Sequence, residues 1–254
     1  MAFVGPYFPS PGHKPLKLHE HLDPSPPTTR RPPPFAAVLA FFLSACALLC
    51  AGSARADAGS MTFRVEPLDV GGCGARCPHV IVAEGVIETT TPNDFVDFLK
   101  GGAEDRRLKR IVFFNSRGGN VVASMVFGHI LRELRVAGVV GRFPAEGDAG
   151  PIVGECLSAC VYAMMGAVRR VAPPGSEVAL HRMSIVESER QGWFGQSTRR
   201  SFADPPMVAV LARYARRMGV DPALVRAAES LPPDTMHVLS PVEMRRWSFA
   251  TAKF

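Results

Sequence analysis

The chain has 254 residues and a formal net charge of +6, from 29 Lys and Arg against 23 Asp and Glu. Its first 56 residues carry five of those cations and two of the acids, leaving 24 against 21, or +3, for the rest. No basic stripe is interleaved with aromatics, so a nucleic-acid partner is excluded, and residues 57–254 are long enough for one domain with a sizeable core.

Residues 1–34 are rich in proline, with a run at Pro32, Pro33 and Pro34, and show no apolar periodicity. They read as a disordered basic leader. Arg30 and Arg31 then precede an uncharged apolar stretch from Phe35 to Gly52, which ends in Ala54-Arg55-Ala56. A basic flank, an apolar core and an A-x-A site make residues 35–56 a secretory signal cleaved after Ala56. Two other outcomes stay open. The stretch is about long enough to remain as an N-terminal membrane anchor, since spanning takes roughly 17–25 apolar residues. Leu43-Ser44-Ala45-Cys46 is also similar to a bacterial lipobox, which would lipidate Cys46. Each outcome exports the domain, to the periplasm or its equivalent, with membrane contact only if the leader is retained or lipidated.

Four of the six cysteines follow the leader: Cys73, Cys77, Cys156 and Cys160. An even set in an oxidising compartment points to disulfides, with three pairings open. A four-thiolate zinc site is the rival, but the C-x-x-x-C spacing is loose and export argues against it. No metal is expected.

In chain order, His79 to Ile87 is apolar and β-branched, a buried strand. Thr91 or Asn93 caps a helix through Phe95, Phe98 and Leu99, closed by Gly101-Gly102. Leu108 to Phe114 is a second strand, ending at the turn Asn115-Ser116-Arg117-Gly118-Gly119. Val121 to Leu134 is a helix, Val136 to Phe143 a third strand, and Pro144 to Glu155 a loop. Ser158 to Val168 is small and apolar on every side, the mark of a helix buried all round. Glu177 to Leu180 forms a strand ending at His181. The polar stretch Glu187 to Asp204 reads as a mobile excursion. Pro206 to Met218 and Pro222 to Ser230 are helices, Met236 to Leu239 a short strand, and Val242 to Trp247 a helix capped by Ser240. Strands alternating with helices make an α/β domain.

Three segments in order resemble the proteolytic subunit of the Clp protease family, within the Clp/crotonase-like superfamily. Asn115-Ser116-Arg117-Gly118-Gly119 is similar to that family's N-S-P-G-G turn, with Arg117 in place of the proline. Ser158, within Cys156-Leu157-Ser158-Ala159-Cys160, matches the nucleophile at the start of the buried helix. Val178-Ala179-Leu180-His181 matches the strand that ends in the catalytic histidine. The closing Leu239-Ser240-Pro241 also fits, so the similarity spans roughly residues 78–247. The cysteine-flanked serine is most similar to exported Clp-like proteins. The resemblance implies a core of repeated β-β-α units, no cofactor, a peptide substrate or protein partner, and a homo-oligomer contact within residues 183–220.

It also implies site roles. Ser158 would attack, His181 would act as base, and the amides of Gly119 and Ala159 would hold an oxyanion. The family's aspartate falls at Met236, which cannot orient an imidazole. Asp234 is a weak substitute, because two residues of extended chain shift it by about 7 Å. A serine–lysine mechanism does not fit, since Arg199 and Arg200 stand in the matching region and a guanidinium is no base near neutral pH. Three alternatives remain: a non-catalytic member of the fold that binds a peptide or partner; a crotonase-type acyl-thioester site using only the two amides, disfavoured by the absence of coenzyme A from the periplasm; and an ordinary N-cap role for Ser158, worth about 1 kcal/mol. A Cys156–Cys160 bridge would staple the turn into the helix, but a bridge of four residues is near the edge of allowed geometry, so pairing with Cys73 or Cys77 stays open.

Overall fold

The computed structural model describes residues 59–69, 71–102, 105–144, 150–191 and 195–253. The leader, the cleavage site after Ala56 and Cys46 lie outside the described residues, as does part of the loop expected at 144–155. Among the described residues no helix is long and apolar enough to cross a membrane.

Five strands form the larger sheet, in the order β1 (Thr62–Pro67), β2 (His79–Glu84), β3 (Leu108–Asn115), β4 (Ala137–Val140) and β6 (Arg169–Val171). From β2 to β6 the pairing is parallel, and β1 closes one edge antiparallel. Parallel pairing needs crossovers, supplied by helices α1 (Thr91–Gly101), α2 (Val121–Glu133) and α3 (Ala159–Met165). Val80, Ile81, Val82 and Ala83 of β2 are all buried, as a strand covered on both faces requires. The expectations above left Thr62–Pro67 unassigned, although Phe63 and Val65 alternate with Arg64 and Glu66. Its inward face is real: the Phe63 ring packs on Phe95 at 5.1 Å and on Phe127 at 5.8 Å.

A second row of paired segments runs beside the first. It consists of β5 (Glu155–Leu157), parallel to β7 (Glu177–His181), with β10 (Met236–Val238) antiparallel on the far side of β7. The chain beyond β2 and β3 joins this row through the parallel bridges Ile87↔Gly119 and Ser116↔Cys156. Successive units thus give one strand to the sheet, a short segment to the second row and a helix, as expected for a repeated β-β-α core.

Helix α3 occupies the centre, with all seven residues buried. It can do so because α2 approaches it without side chains between them. A Cβ on Gly128 would stand 2.0 Å from the Tyr214 hydroxyl, and one on Gly166 would stand 2.0 Å from Gly128 O. Its C-terminal carbonyls accept from half-buried cations. Arg132 donates to Met165 O at 3.1 Å, and Arg170 to Met165 O at 3.1 Å and Ala167 O at 2.8 Å. Burial and the neighbouring Arg132 hold the Arg170 guanidinium down at about 10. It stays charged at neutral pH, and cations suit a helix C-terminus.

Three expectations are corrected. The polar stretch at 187–204 is a hairpin, β8 (Ser184–Gln191) with β9 (Gly195–Phe202), whose backbone groups pair across from Ser184↔Phe202 to Gln191↔Gly195. Its residues are mostly polar, so hydrophobic patterning could not announce them. The first helix takes Thr90 as N-cap, and the Thr91 hydroxyl instead accepts from Glu88 N at 2.9 Å. The third strand stops at Val140; Gly141 N still donates to Phe114 O at 3.0 Å, and Arg142 beyond it pairs with Ile152 instead. The remaining helices, α4 (Pro205–Arg217), α5 (Ala223–Glu229) and α6 (Pro241–Arg246), fall where the apolar spacing put them.

Candidate active site

Because β5 and β7 are parallel neighbours, their C-terminal ends open on the same side. The register pairs Leu157 with Ala179, and Ser158 N donates to Ala179 O at 2.8 Å. Ser158 and His181 therefore leave adjacent strand ends together. The Ser158 hydroxyl lies 2.7 Å from His181 Nε2.

The backbone at Ser158 is not that of a helix cap. It has φ 54° and ψ −121°, and its side chain makes no capping hydrogen bond. A positive φ at a residue with a Cβ is costly, by about 1–3 kcal/mol, and must be over-determined by its surroundings. Here the restraints are visible. Cys156 and Cys160 are bonded across the serine, with Cα atoms 5.2 Å apart. Ser116 holds the strand end from the other side, donating to Glu155 O at 2.8 Å and accepting from Leu157 N at 2.9 Å. A sharp strand-to-helix turn of this kind presents a serine hydroxyl outward while its helix stays buried.

The glycine turn lies directly against it. Gly118 (φ 102°) has no room for a Cβ, which would stand 2.7 Å from Leu157 O and 2.9 Å from Ala159 N. Gly119 (φ 136°) is tighter, with only 2.1 Å to Ile87 O. Ile87 bonds the residues on either side of Gly119: its amide donates to Gly118 O and its carbonyl accepts from Asn120 N, both at 2.7 Å. The Gly119 N–H therefore faces away from Ile87. Ala159, first residue of α3, has no intrahelical acceptor for its amide. Two backbone donors are thus left over beside the serine.

His181 Nδ1 is 2.7 Å from Arg182 O. A carbonyl only accepts, so Nδ1 carries the proton and Nε2 offers its lone pair to the serine hydroxyl. The expected third member is absent. Met236 stands opposite His181 in the β10–β7 register. Asp234 lies in the preceding turn, its carboxylate ion-paired with Arg200 and 71 % exposed. It is not brought to the imidazole, because β10 begins two residues later and Arg200 of the hairpin claims its charge. The sequence reading missed Glu229, at the C-terminal end of α5. Its Oε1 accepts from Met183 N at 3.1 Å, two residues past His181, and its Oε2 is buried without a hydrogen-bond partner among the described residues. Burial pushes this carboxyl above its ordinary range, against the Met183 amide and the charge of Arg182. No sequence motif marks it; only the packing of α5 against β7 brings it there.

The other cysteines are bonded as Cys73–Cys77, with Cα atoms 5.0 Å apart. Neither pair leaves thiolates for zinc, and the Asp69–Cys73–Cys77 cluster is no metal site for the same reason. The other histidines among the described residues have structural partners: His79 bonds Asp105 at 2.5 Å, His237 bonds Glu243 at 2.8 Å, and His129 meets Tyr214 edge-on.

No family model and no curated protein matches the chain. Solved structures do. Two are mutants of the 1510-N membrane-bound stomatin-specific protease, one of them in complex with a substrate peptide. Both are 15 % identical and cover 67 % of this chain, with TM-scores of 0.45 and 0.44 over 75 % and 71 % of those chains. A ClpP1 mutant from Listeria monocytogenes is also 15 % identical over 67 % of this chain, with a TM-score of 0.41 over 88 % of that one.

Proposed function

We propose that this chain is an exported serine hydrolase that cleaves short or unfolded peptides by acyl transfer. The observation that carries the reading is Ser158 Oγ at 2.7 Å from His181 Nε2, on a backbone that forgoes capping. In the reaction Ser158 Oγ forms a bond to the substrate carbonyl carbon while its proton passes to Nε2. The amides of Gly119 and Ala159 donate to the oxygen that becomes negative. Collapse expels the leaving amine, which takes the proton from Nε2, and water repeats the sequence to free Ser158. A positioned oxyanion donor is worth about 2.7–4 kcal/mol in other hydrolases.

Arg182 O supplies half of what an aspartate does. It fixes the tautomer, the loss of which costs about 10⁴ in a well-studied triad, but it brings no full charge to steady the imidazolium. The leader pattern and the two disulfides support export. A non-catalytic peptide-binding role is favoured by one observation, Met236 in the acid's register.

A fluorophosphonate probe separates the two. Labelling of the oxidised wild type that disappears in both Ser158→Ala and His181→Ala is the expected result. A folded wild type that stays unlabelled would leave the binding role.

A further inference from the structure

A cavity of about 610 Å³ opens at the residue after His181. Arg182, whose carbonyl fixes the imidazole, also lines this cavity; its guanidinium lies over the Phe202 ring at 4.3 Å, and its Nε is buried with no hydrogen-bond partner among the described residues. One wall is apolar, from Pro205, Val208 and Ala212 of α4. Around it stand Arg213, Arg216 and Arg226, whose side chains have no hydrogen-bond or ion-pair partner among the described residues. Four arginines and one acid, Glu229, line the space, an excess of three positive charges. Glu229 is already engaged, through Oε1 with Met183 N.

We propose that this cavity is the substrate pocket, and that it takes a carboxylate on a short apolar arm within an acidic peptide. The inference rests on the reading of Ser158 and His181 as the reactive pair. Its size suits a small-ligand pocket, for which about 300–1,000 Å³ is usual. The apolar wall takes the methylenes from water. Unpaired guanidinium groups offer the planar donor pairs that a carboxylate accepts. A basic peptide would meet net repulsion, and a neutral one would leave Arg182 Nε unsatisfied. Because three of the arginines are exposed, their contribution is cooperative and falls with salt.

The test is fluorescence anisotropy on the exported protein carrying Ser158→Ala, with dye-labelled alanine–leucine hexapeptides at low salt. One peptide has an internal glutamate and an amidated end, and twins carry glutamine or lysine in its place. A fourth has glutamine and a free C-terminal carboxylate. The glutamate peptide, the free-carboxylate peptide or both should bind about tenfold more tightly than the amidated glutamine twin, and which of them does so tells side chain from terminus. Arg213→Gln with Arg226→Gln should level the series, and both positions are exposed, so the fold is spared. Equal binding by all four peptides would overturn the proposal. So would a preference that survives the double substitution, or laurate binding more tightly than any peptide. Fluorophosphonate labelling scores the reactive pair separately: a chain that labels without acidic preference loses only the pocket.

Discussion

Ser158 and Ser240 occupy the same sequence context, a serine ahead of a helix, and the fold uses them in opposite ways. Ser240 has φ −67° and ψ 157°, accepts from Glu243 N at 3.2 Å, and is answered by the Glu243 carboxylate on its own amide. That end of α6 is closed. Ser158 has a left-handed φ, leaves the first amide of α3 unpaired, and points its hydroxyl at an imidazole. A helix end that satisfies itself locally is structural. One that keeps donors open, on a backbone held by a disulfide and two close glycines, is arranged for something that arrives later.

The contrast can be broken by exchange of roles. The largest effect is expected at Ser158→Ala: labelling or hydrolysis falls by about 10⁴-fold or more, while the melting temperature barely moves. Ser240→Ala should do the reverse, costing about 1 kcal/mol in denaturant titration with labelling intact. Next is Gly119→Ala. Its Cβ would meet Ile87 O at 2.1 Å at a φ of 136°, and a loss of about 3 kcal/mol is expected in urea unfolding. A wild-type midpoint would contradict the close approach.

Met236→Asp sharpens the comparison from the other side. Residue 236 faces His181 across the strand pair and is 45 % exposed, so a carboxylate fits without emptying the core. Ester hydrolysis should rise by about tenfold, since the tautomer is already set and only charge is added. The smallest effect concerns the closed cap. The Ser240 hydroxyl and amide, with His237 beyond them, hold the Glu243 carboxyl down at about 2. Its folded value lies below the unfolded one, about 4.3. The stabilisation is therefore complete above that value and is lost as pH falls towards 2. Melting between pH 5 and 2 should show this slope, and Glu243→Gln should flatten it without changing labelling.

Much of the site was legible before any coordinates. Gly118-Gly119 announces a backbone that side chains cannot adopt, and the all-apolar run after Ser158 announces a buried helix. These are local signals, fixed by sterics and by burial on every face. The hairpin at 184–202 was harder, because pairing can stabilise a segment that shows little apolar patterning, and β1 was harder because its alternation covers only Phe63 and Val65. The pairing of the cysteines was also undecided. Two bridges of identical spacing form, one beside Ser158 and one in the β1–β2 connection, and only the turn geometry at each decides that neighbours bond.

The sequence by itself determined the alternation of strands and helices, the buried helix, the glycine turn and the residues able to act as nucleophile and base. Only the tertiary structure decided that Ser158 is no cap, that His181 takes its tautomer from Arg182 O, that Asp234 belongs to Arg200, and that Glu229 lies near the imidazole. The physical reason is range. Burial patterns and backbone sterics act within a few residues, whereas a hydrogen bond between Ser158 and His181 depends on the parallel register of β5 with β7, which many distant contacts fix together.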